Sequence, residues 1–259
     1  MVIEMRGSPD IYIRRVLRQY AVNPRHFGAA RRAAIEIAPV IRSWAGTSLR
    51  DIGISGSHAK GTAIVGGSDV DLFISLKAST SNTLADIYGS LYDLASDHGW
   101  SPRAQTVSIG VNVNGTKIDL VPARLHPGVR NWHSLYNNRT GSWMQTNVVR
   151  QIRTVALSGR ADEIRAIKIW RNLRGLDFHS FYLELTVLDA LLNLSKRMLA
   201  ANVETALEYI AYELPRRRVI DPANSNNIIS NDLDFEGKDA LASAALKTLQ
   251  SSHWEHIIW

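Results

Sequence analysis

From Asp10 to Tyr20 (DIYIRRVLRQY) the apolar positions recur at helical spacing with arginine pairs on the other face, and the same pattern runs from Arg25 to Trp44. Pro39 lies inside that second run, so a kink or a division is expected there. Residues 49–55 (LRDIGIS) alternate as a strand does, and 69–76 (DVDLFISL) read as a more deeply buried one. SNTLADIYGSLYDLASDHG predicts a capped helix ending at Gly99. Two alternating runs then flank Asn114-Gly115, a strong hairpin signal. Strands and helices therefore alternate around one mixed sheet up to about residue 124.

Beyond Pro122 the pattern changes. Residues 125–147 are rich in turn formers and tryptophan and read as a connecting stretch. From 148 onward the spacing is helical. ADEIRAIKIWRNLRG is amphipathic, whereas SFYLELTVLDALLNLSKRMLA is apolar on nearly every face and predicts one central buried helix. VETALEYIAYEL and KDALASAALKTLQSS predict two more, with the loop RRRVIDPANSNNIISND between them. The fold class expected is α+β: a mixed-sheet domain over 1–147, including the N-terminal helices, and a helical domain over 148–259.

Composition narrows the function classes. A chain of 259 residues, 45% apolar and 21% charged, can bury a sizeable core in one or two domains. No window has the roughly 18 apolar residues of a membrane helix, and MVIEMRGSPD lacks the basic-then-apolar order of a signal peptide. The absence of cysteine excludes disulfides and thiolate metal sites and fits a cytoplasmic location. A net charge of +6, with clusters at Arg14-Arg15, Arg31-Arg32 and Arg216-Arg217-Arg218, suits a polyanionic partner, although a basic surface also serves solubility.

The candidate chemistry lies in GSHAKGTAIVGGSDVDLFI, residues 56–74. Asp69 and Asp71 are two apart on a predicted strand, so both project to one face. Two such carboxylates repel each other unless a cation sits between them, and oxygen-only ligands suit Mg²⁺. Asp119, in KIDLVPA, joins them if its strand is a neighbour, and three acids on adjacent strands can hold two metals for phosphoryl transfer. A lone Asp-x-Asp is more often a strand end facing water. The preceding turn adds weight, because Gly56-Ser57 and Gly61-Thr62 offer backbone N–H groups to a phosphate. It is not a Walker loop, since Thr62 stands where that motif needs lysine.

Gly-Ser, eleven residues, Asp-x-Asp and a later strand aspartate together resemble the DNA polymerase β-type nucleotidyltransferase superfamily. The fuller string is similar to the branch of archaeal-type CCA-adding enzymes, oligoadenylate synthetases and bacterial cyclic-dinucleotide synthases. KIDLVPA resembles that branch's third-carboxylate segment. IKIWRNLRG followed by SFYLELTVLDAL resembles its helical lysine and Ser-x-x-Leu-Glu-Leu helix, and RRRVIDPANSNNII its late segment. The resemblance implies that Gly56 and Ser57 hold a nucleoside triphosphate and that Asp69 and Asp71 bind two Mg²⁺ or Mn²⁺ ions. It implies that Asp119 binds one metal and helps deprotonate the attacking hydroxyl, and that Lys168 and Ser180 take the β- and γ-phosphates.

The function so implied is template-independent transfer of a nucleoside monophosphate from a triphosphate to a hydroxyl, giving a short oligonucleotide or cyclic dinucleotide signal in bacterial defence. Candidate partners are nucleoside triphosphates, a nucleic-acid or protein activator and an effector protein, with no membrane. The alternatives are a tRNA CCA-adding enzyme, which normally carries further C-terminal domains, and an inactive relative that binds nucleic acid or a protein. Among weaker residues, Ser180 also suits a helix N-cap. Glu184 and Asp189 are expected to pair with buried basic groups. Trp170 is expected in a core, while Trp132 and Trp143 are open to base stacking. His58, His133, Asn226 and Asn227 are weak candidates for phosphate or base contacts.

Overall fold

The computed structural model describes residues 8–22 and 24–259. In chain order the first elements are α1 (Pro9–Gln19), α2 (Pro24–Ala45), β1 (Leu49–Ile54), α3 (Gly56–Lys60), β2 (Val70–Leu76) and α4 (Leu84–Asp97). The strands β3 (Arg103–Ala104), β4 (Ile109–Val113), β5 (Thr116–Leu125), β6 (His133–Asn137) and β7 (Ser142–Thr146) follow. Then come α5 (Val148–Ala156), α6 (Ala161–Leu173), α7 (Ser180–Ala190), α8 (Leu199–Tyr212), the short strands β8 (Ile220–Asp221) and β9 (Asn224–Ile228), and α9 (Phe235–Leu249).

The chain forms two compact units. One comprises Val22–Lys60 and Ser68–Ile152; the other comprises the segment up to Ala21, Gly61–Gly67 and Arg153–Trp259. The expected single division after residue 147 is thus replaced by an interleaved one. Ile13 and Ile64, both fully or almost fully buried, belong to the helical unit's core, which draws α1 and the 61–67 segment to it.

The first unit is built on a seven-stranded mixed sheet in the order β1-β2-β5-β4-β3, with β6 on β5 and β7 on β6. Only β2 and β5 run parallel; the other pairs are antiparallel. Alternation along β2 sends Val70, Leu72, Ile74 and Leu76 to one face, where they pack with Ile37 and Ile41 of α2 and with Leu91 of α4. Pro39 does not divide α2, which runs unbroken. Thr83 starts α4 with a reciprocal capping box: its hydroxyl accepts from Asp86 N at 3.1 Å and its own N–H donates to Asp86 Oδ2 at 3.1 Å. The β4–β5 turn places Asn114 and Gly115 at φ +49° and +79°, the backbone that a two-residue hairpin requires.

Residues 125–147 are not merely a connection. They hold the β6–β7 hairpin, which extends the sheet, with Leu135 buried against the core.

The helical unit packs α6, α7, α8 and α9 around Trp170, Tyr182, Leu183, Val203 and Ile210, with Ile13, Val16 and Leu17 of α1. The helix expected over 180–200 is shorter, and Leu199 and Ala200 belong instead to the start of the next helix, the one expected at VETALEYIAYEL. The α7 helix ends at Ala190, Asn193 turns into the left-handed region at φ +65°, and α8 begins at Leu199. The Asp10 carboxylate accepts from the N–H groups of Leu199 (3.3 Å) and Ala200 (2.8 Å), an anion at the positive end of α8. Among the described residues no helix is long and apolar enough to cross a membrane.

Candidate functional site

In the sheet unit, β2 and β5 pair in parallel with Asp71 opposite Asp119. Register partners on adjacent parallel strands project to the same face about 4.8 Å apart. Leu72 and Leu120 face the core on the other side, so the same alternation that buries the leucines brings the two acids together. Asp69 stands one residue before β2 and is exposed.

Asp119 is held by a side chain of the same unit. Gln105 Nε2 donates to its Oδ1 at 3.1 Å. Burial pushes the Asp119 carboxyl up from its ordinary range and the charge of Asp69 adds to this, while the Gln105 hydrogen bond and the Arg103 guanidinium pull the other way. Gly110 is the β4 partner of Asp119, and a Cβ there would lie 2.8 Å from Gln105 Nε2 and 3.3 Å from Asp119 Oδ1. The missing side chain therefore leaves the space in which Gln105 reaches the acid. Gln105 and Gly110 were not foreseeable as site residues from their type. The one signal was a glycine interrupting the alternating run SIGVNV, which often marks a close approach.

Gly56 does for Asp71 what Gly110 does for Asp119. The expected glycine-rich turn is the first residue of a short helix, α3, and Gly56 sits at φ +56°. A Cβ there would fall 1.7 Å from Asp71 Oδ2. Ser55 N donates to Asp71 O at 2.8 Å, so the end of β1 is tied to the backbone of the acid whose side chain Gly56 accommodates. Ser57, the next residue, is buried.

The donor chemistry suits a hard divalent cation: carboxylate oxygens only, with Asp71 and Asp119 in register and Asp69 close enough to raise Asp119. Among the described residues no group of three or more acids or histidines is gathered in a form that could hold a metal ion.

Lys168 and Ser180 lie in the helical unit. The Lys168 side chain is fully buried, and its Nζ donates to Glu184 Oε1 at 2.7 Å and to Thr62 Oγ1 at 3.1 Å. The Thr62 hydroxyl in turn donates to Glu184 Oε1 at 2.6 Å. The pair therefore clips the 61–67 segment to α6 and α7, and Glu184 partners a buried base as its apolar helix suggested. Asp189 instead pairs with the exposed Arg217 (2.8 Å) and accepts from Tyr209. Ser180 is the first residue of α7 rather than its cap, which is His179. Its Oγ accepts from Arg171 Nη1 at 3.1 Å, and that guanidinium also holds Phe178 O at 2.7 Å. Burial lowers the Arg171 pKa, against the charges of Glu184 and Asp177.

Of the weaker candidates, Trp170 is fully buried and donates to Thr248 Oγ1, whereas Trp143 is 62% exposed. His133 is buried, with Nε2 2.8 Å from Ser75 Oγ. Asn226 and Asn227 lie on β9, where Asn227 Nδ2 donates to Asp221 Oδ2.

Residues 41–122 match the family model described as a nucleotidyltransferase domain, a span containing Gly56, Ser57 and all three acids. The cyclic AMP-AMP-AMP synthase of Escherichia coli (strain MS 115-1) is 26% identical over 166 residues, 56% of this chain and 51% of that protein. The match thus spans about half the length of this curated relative. Among solved structures, E. coli MS115-1 CdnC with ATP superposes with a TM-score of 0.73 at 20% identity, covering 95% of this chain and 96% of the other. The Bradyrhizobium diazoefficiens CD-NTase CdnG with GTP gives a TM-score of 0.74 at 12% identity, covering 94% and 91%. At these identities the likeness is one of fold.

Proposed function

We propose that this chain, whose residues 41–122 match a nucleotidyltransferase domain and whose fold is that of the bacterial CD-NTases, transfers a nucleoside monophosphate from a nucleoside triphosphate to a hydroxyl. The new oxygen–phosphorus bond forms at the α-phosphate as the bond to the β-phosphate bridging oxygen breaks, and pyrophosphate leaves. The observation that carries this reading is the parallel register of Asp71 with Asp119, each acid seated beside a glycine that gives it room.

Asp69, Asp71 and Asp119 are the residues that would hold Mg²⁺ or Mn²⁺, which when bound neutralises charge on the triphosphate. Gln105 occupies Asp119 Oδ1, leaving Oδ2 to take the proton of the attacking hydroxyl. Gly56 and Ser57, beside Asp71, would receive the triphosphate through the start of the 56–60 segment. Lys168 and Ser180 enter as the helical unit's phosphate contacts; Lys168 would make this contact by exchanging Glu184 for the γ-phosphate.

The product proposed is a short linear or cyclic oligonucleotide made without a template, by analogy with the cyclic AMP-AMP-AMP synthase. A role in defence and a protein activator are proposed on the same footing; a relative's structure is that of a CdnC:HORMA-deltaN complex. The test is mass spectrometry of products after incubation with all eight nucleotides and Mg²⁺ or Mn²⁺, with and without tRNA lacking its 3′ end. Free oligonucleotides support the reading; nucleotides added only to the tRNA replace it with CCA addition.

A further inference from the structure

Further along β5 from the acids, the sheet unit carries a pocket of about 460 Å³, within the range of small-molecule sites. Arg124 on β5 is the register partner of Ser134 on β6, and Ser134 is the partner of Gln145 on β7. A guanidinium, a hydroxyl and a carboxamide therefore stand in one row across three strands and line the pocket together. Trp143, two residues from Gln145, projects from the same face of β7 and forms another wall, while Leu84 lines the apolar side. Arg124 is five residues beyond Asp119 on β5, which sets this pocket about 17 Å along the strand from the acids.

Two features of the pocket point to a ligand. Arg124 Nη1 donates to the carbonyls of Asn82 at 2.8 Å and Thr80 at 3.4 Å. Those bonds fix the guanidinium without neutralising it, and among the described residues no carboxylate is paired with it. The Trp143 indole, 62% exposed, offers its ring to the same hollow. A rigid guanidinium fork suits a phosphate, and an open indole face suits a planar base. Both residues sit on paired strands, so the backbone that carries them is ordered before any ligand arrives.

We propose that this pocket is a second nucleotide site, binding a nucleoside monophosphate with its phosphate on Arg124 and its base stacked on Trp143. The Ser134–Gln145 row lies between the two. This site does not depend on the acids transferring nucleotides, and its test does not read transfer.

The intact chain is titrated with AMP, GMP, adenosine and inorganic phosphate while the tryptophan indole N–H resonances are followed by NMR. The Trp143 signal is identified by its loss in Trp143→Phe. AMP or GMP should shift it saturably, and adenosine or phosphate alone should bind at least tenfold more weakly. Arg124→Gln should weaken the monophosphate at least tenfold, whereas Asp71→Asn should leave the Trp143 response unchanged. Because Arg124 also braces residues 80–82, Trp143→Ala provides a second variant at an exposed position, and calorimetry should show it losing the same binding event. A Trp143 signal unmoved by either monophosphate overturns the proposal. So does unchanged affinity in both Arg124→Gln and Trp143→Ala, or phosphate or adenosine binding as tightly as AMP.

Discussion

Gly56 and Asp71 are fitted to each other: a Cβ on residue 56 would stand 1.7 Å from Asp71 Oδ2, and the backbone of Gly56 is left-handed at φ +56°. Gly56→Ala therefore meets two obstacles, a strained backbone that costs about 1–3 kcal/mol and a collision that must turn the carboxylate away. A displacement near 1 Å at a reacting centre costs roughly a hundredfold in rate. The variant should fold with a lowered melting temperature and lose pyrophosphate release by about that factor. Wild-type turnover in a folded Gly56→Ala protein would show that the Asp71 position is not critical.

Gln105 tests the second acid without touching it. Gln105→Leu removes the donor to Asp119 Oδ1 and keeps the side-chain size. A hydrogen bond to a charged group contributes about 1.5–3 kcal/mol, so kcat should fall roughly tenfold or more with KM little changed. Gln105→Glu, which adds a like charge beside Asp119, should fall further. Steady-state kinetics on both variants checks the order, and equal activity in the two would contradict it.

Much of this architecture is legible from alternation. The leucines and isoleucines of DVDLFISL and KIDLV fix which face each strand buries, and Asp71 and Asp119 fall on the other face by the same period. What alternation does not carry is register between distant strands, and it is register that puts Asp71 opposite Asp119. The β6–β7 hairpin escapes notice because its strands mix Asn, Ser, Gln and Trp, with Leu135 and Thr146 among its few buried positions, so turn-forming composition outweighs a weak period. The break after Ala190 is hidden for the opposite reason: leucines continue through LLNL, and only Asn193 marks the turn. The glycines at 56 and 110 read as turn or strand interruption, because the carboxylates that require them are distant in sequence.

Lys168 and Glu184 form a fully buried pair, so removing one charge leaves the other stranded. Glu184→Ala should cost about 3–5 kcal/mol, measured by urea denaturation. The double variant Lys168→Met with Glu184→Leu should regain most of that stability. If Lys168 also serves the triphosphate, this folded double variant should bind triphosphate at least tenfold more weakly and monophosphate unchanged. Unaltered triphosphate affinity would confine Lys168 to clipping the 61–67 segment.

His133 gives the sheet unit a pH dependence. Burial holds its imidazole pKa below the usual 6.5, with the nearby Arg50 charge acting in the same direction and the Asn131 carbonyl opposing both. The unfolded chain then binds a proton that the folded one refuses, so stability is complete above about pH 6.5 and is lost as pH falls toward the folded pKa. The melting temperature should decline through that window, and His133→Gln, which can still bond Ser75, should flatten the decline. An unchanged slope in the variant would mean that His133 does not carry it.

Nucleotidyl transfer by the three acids would be read as pyrophosphate release. The intact protein, incubated with nucleoside triphosphates and Mg²⁺ and with any activator required, should release pyrophosphate as oligonucleotide forms. Asp69→Asn and Asp71→Asn should lower release by roughly a thousandfold, with folding intact by circular dichroism. Release at the wild-type rate from either folded variant would contradict the account.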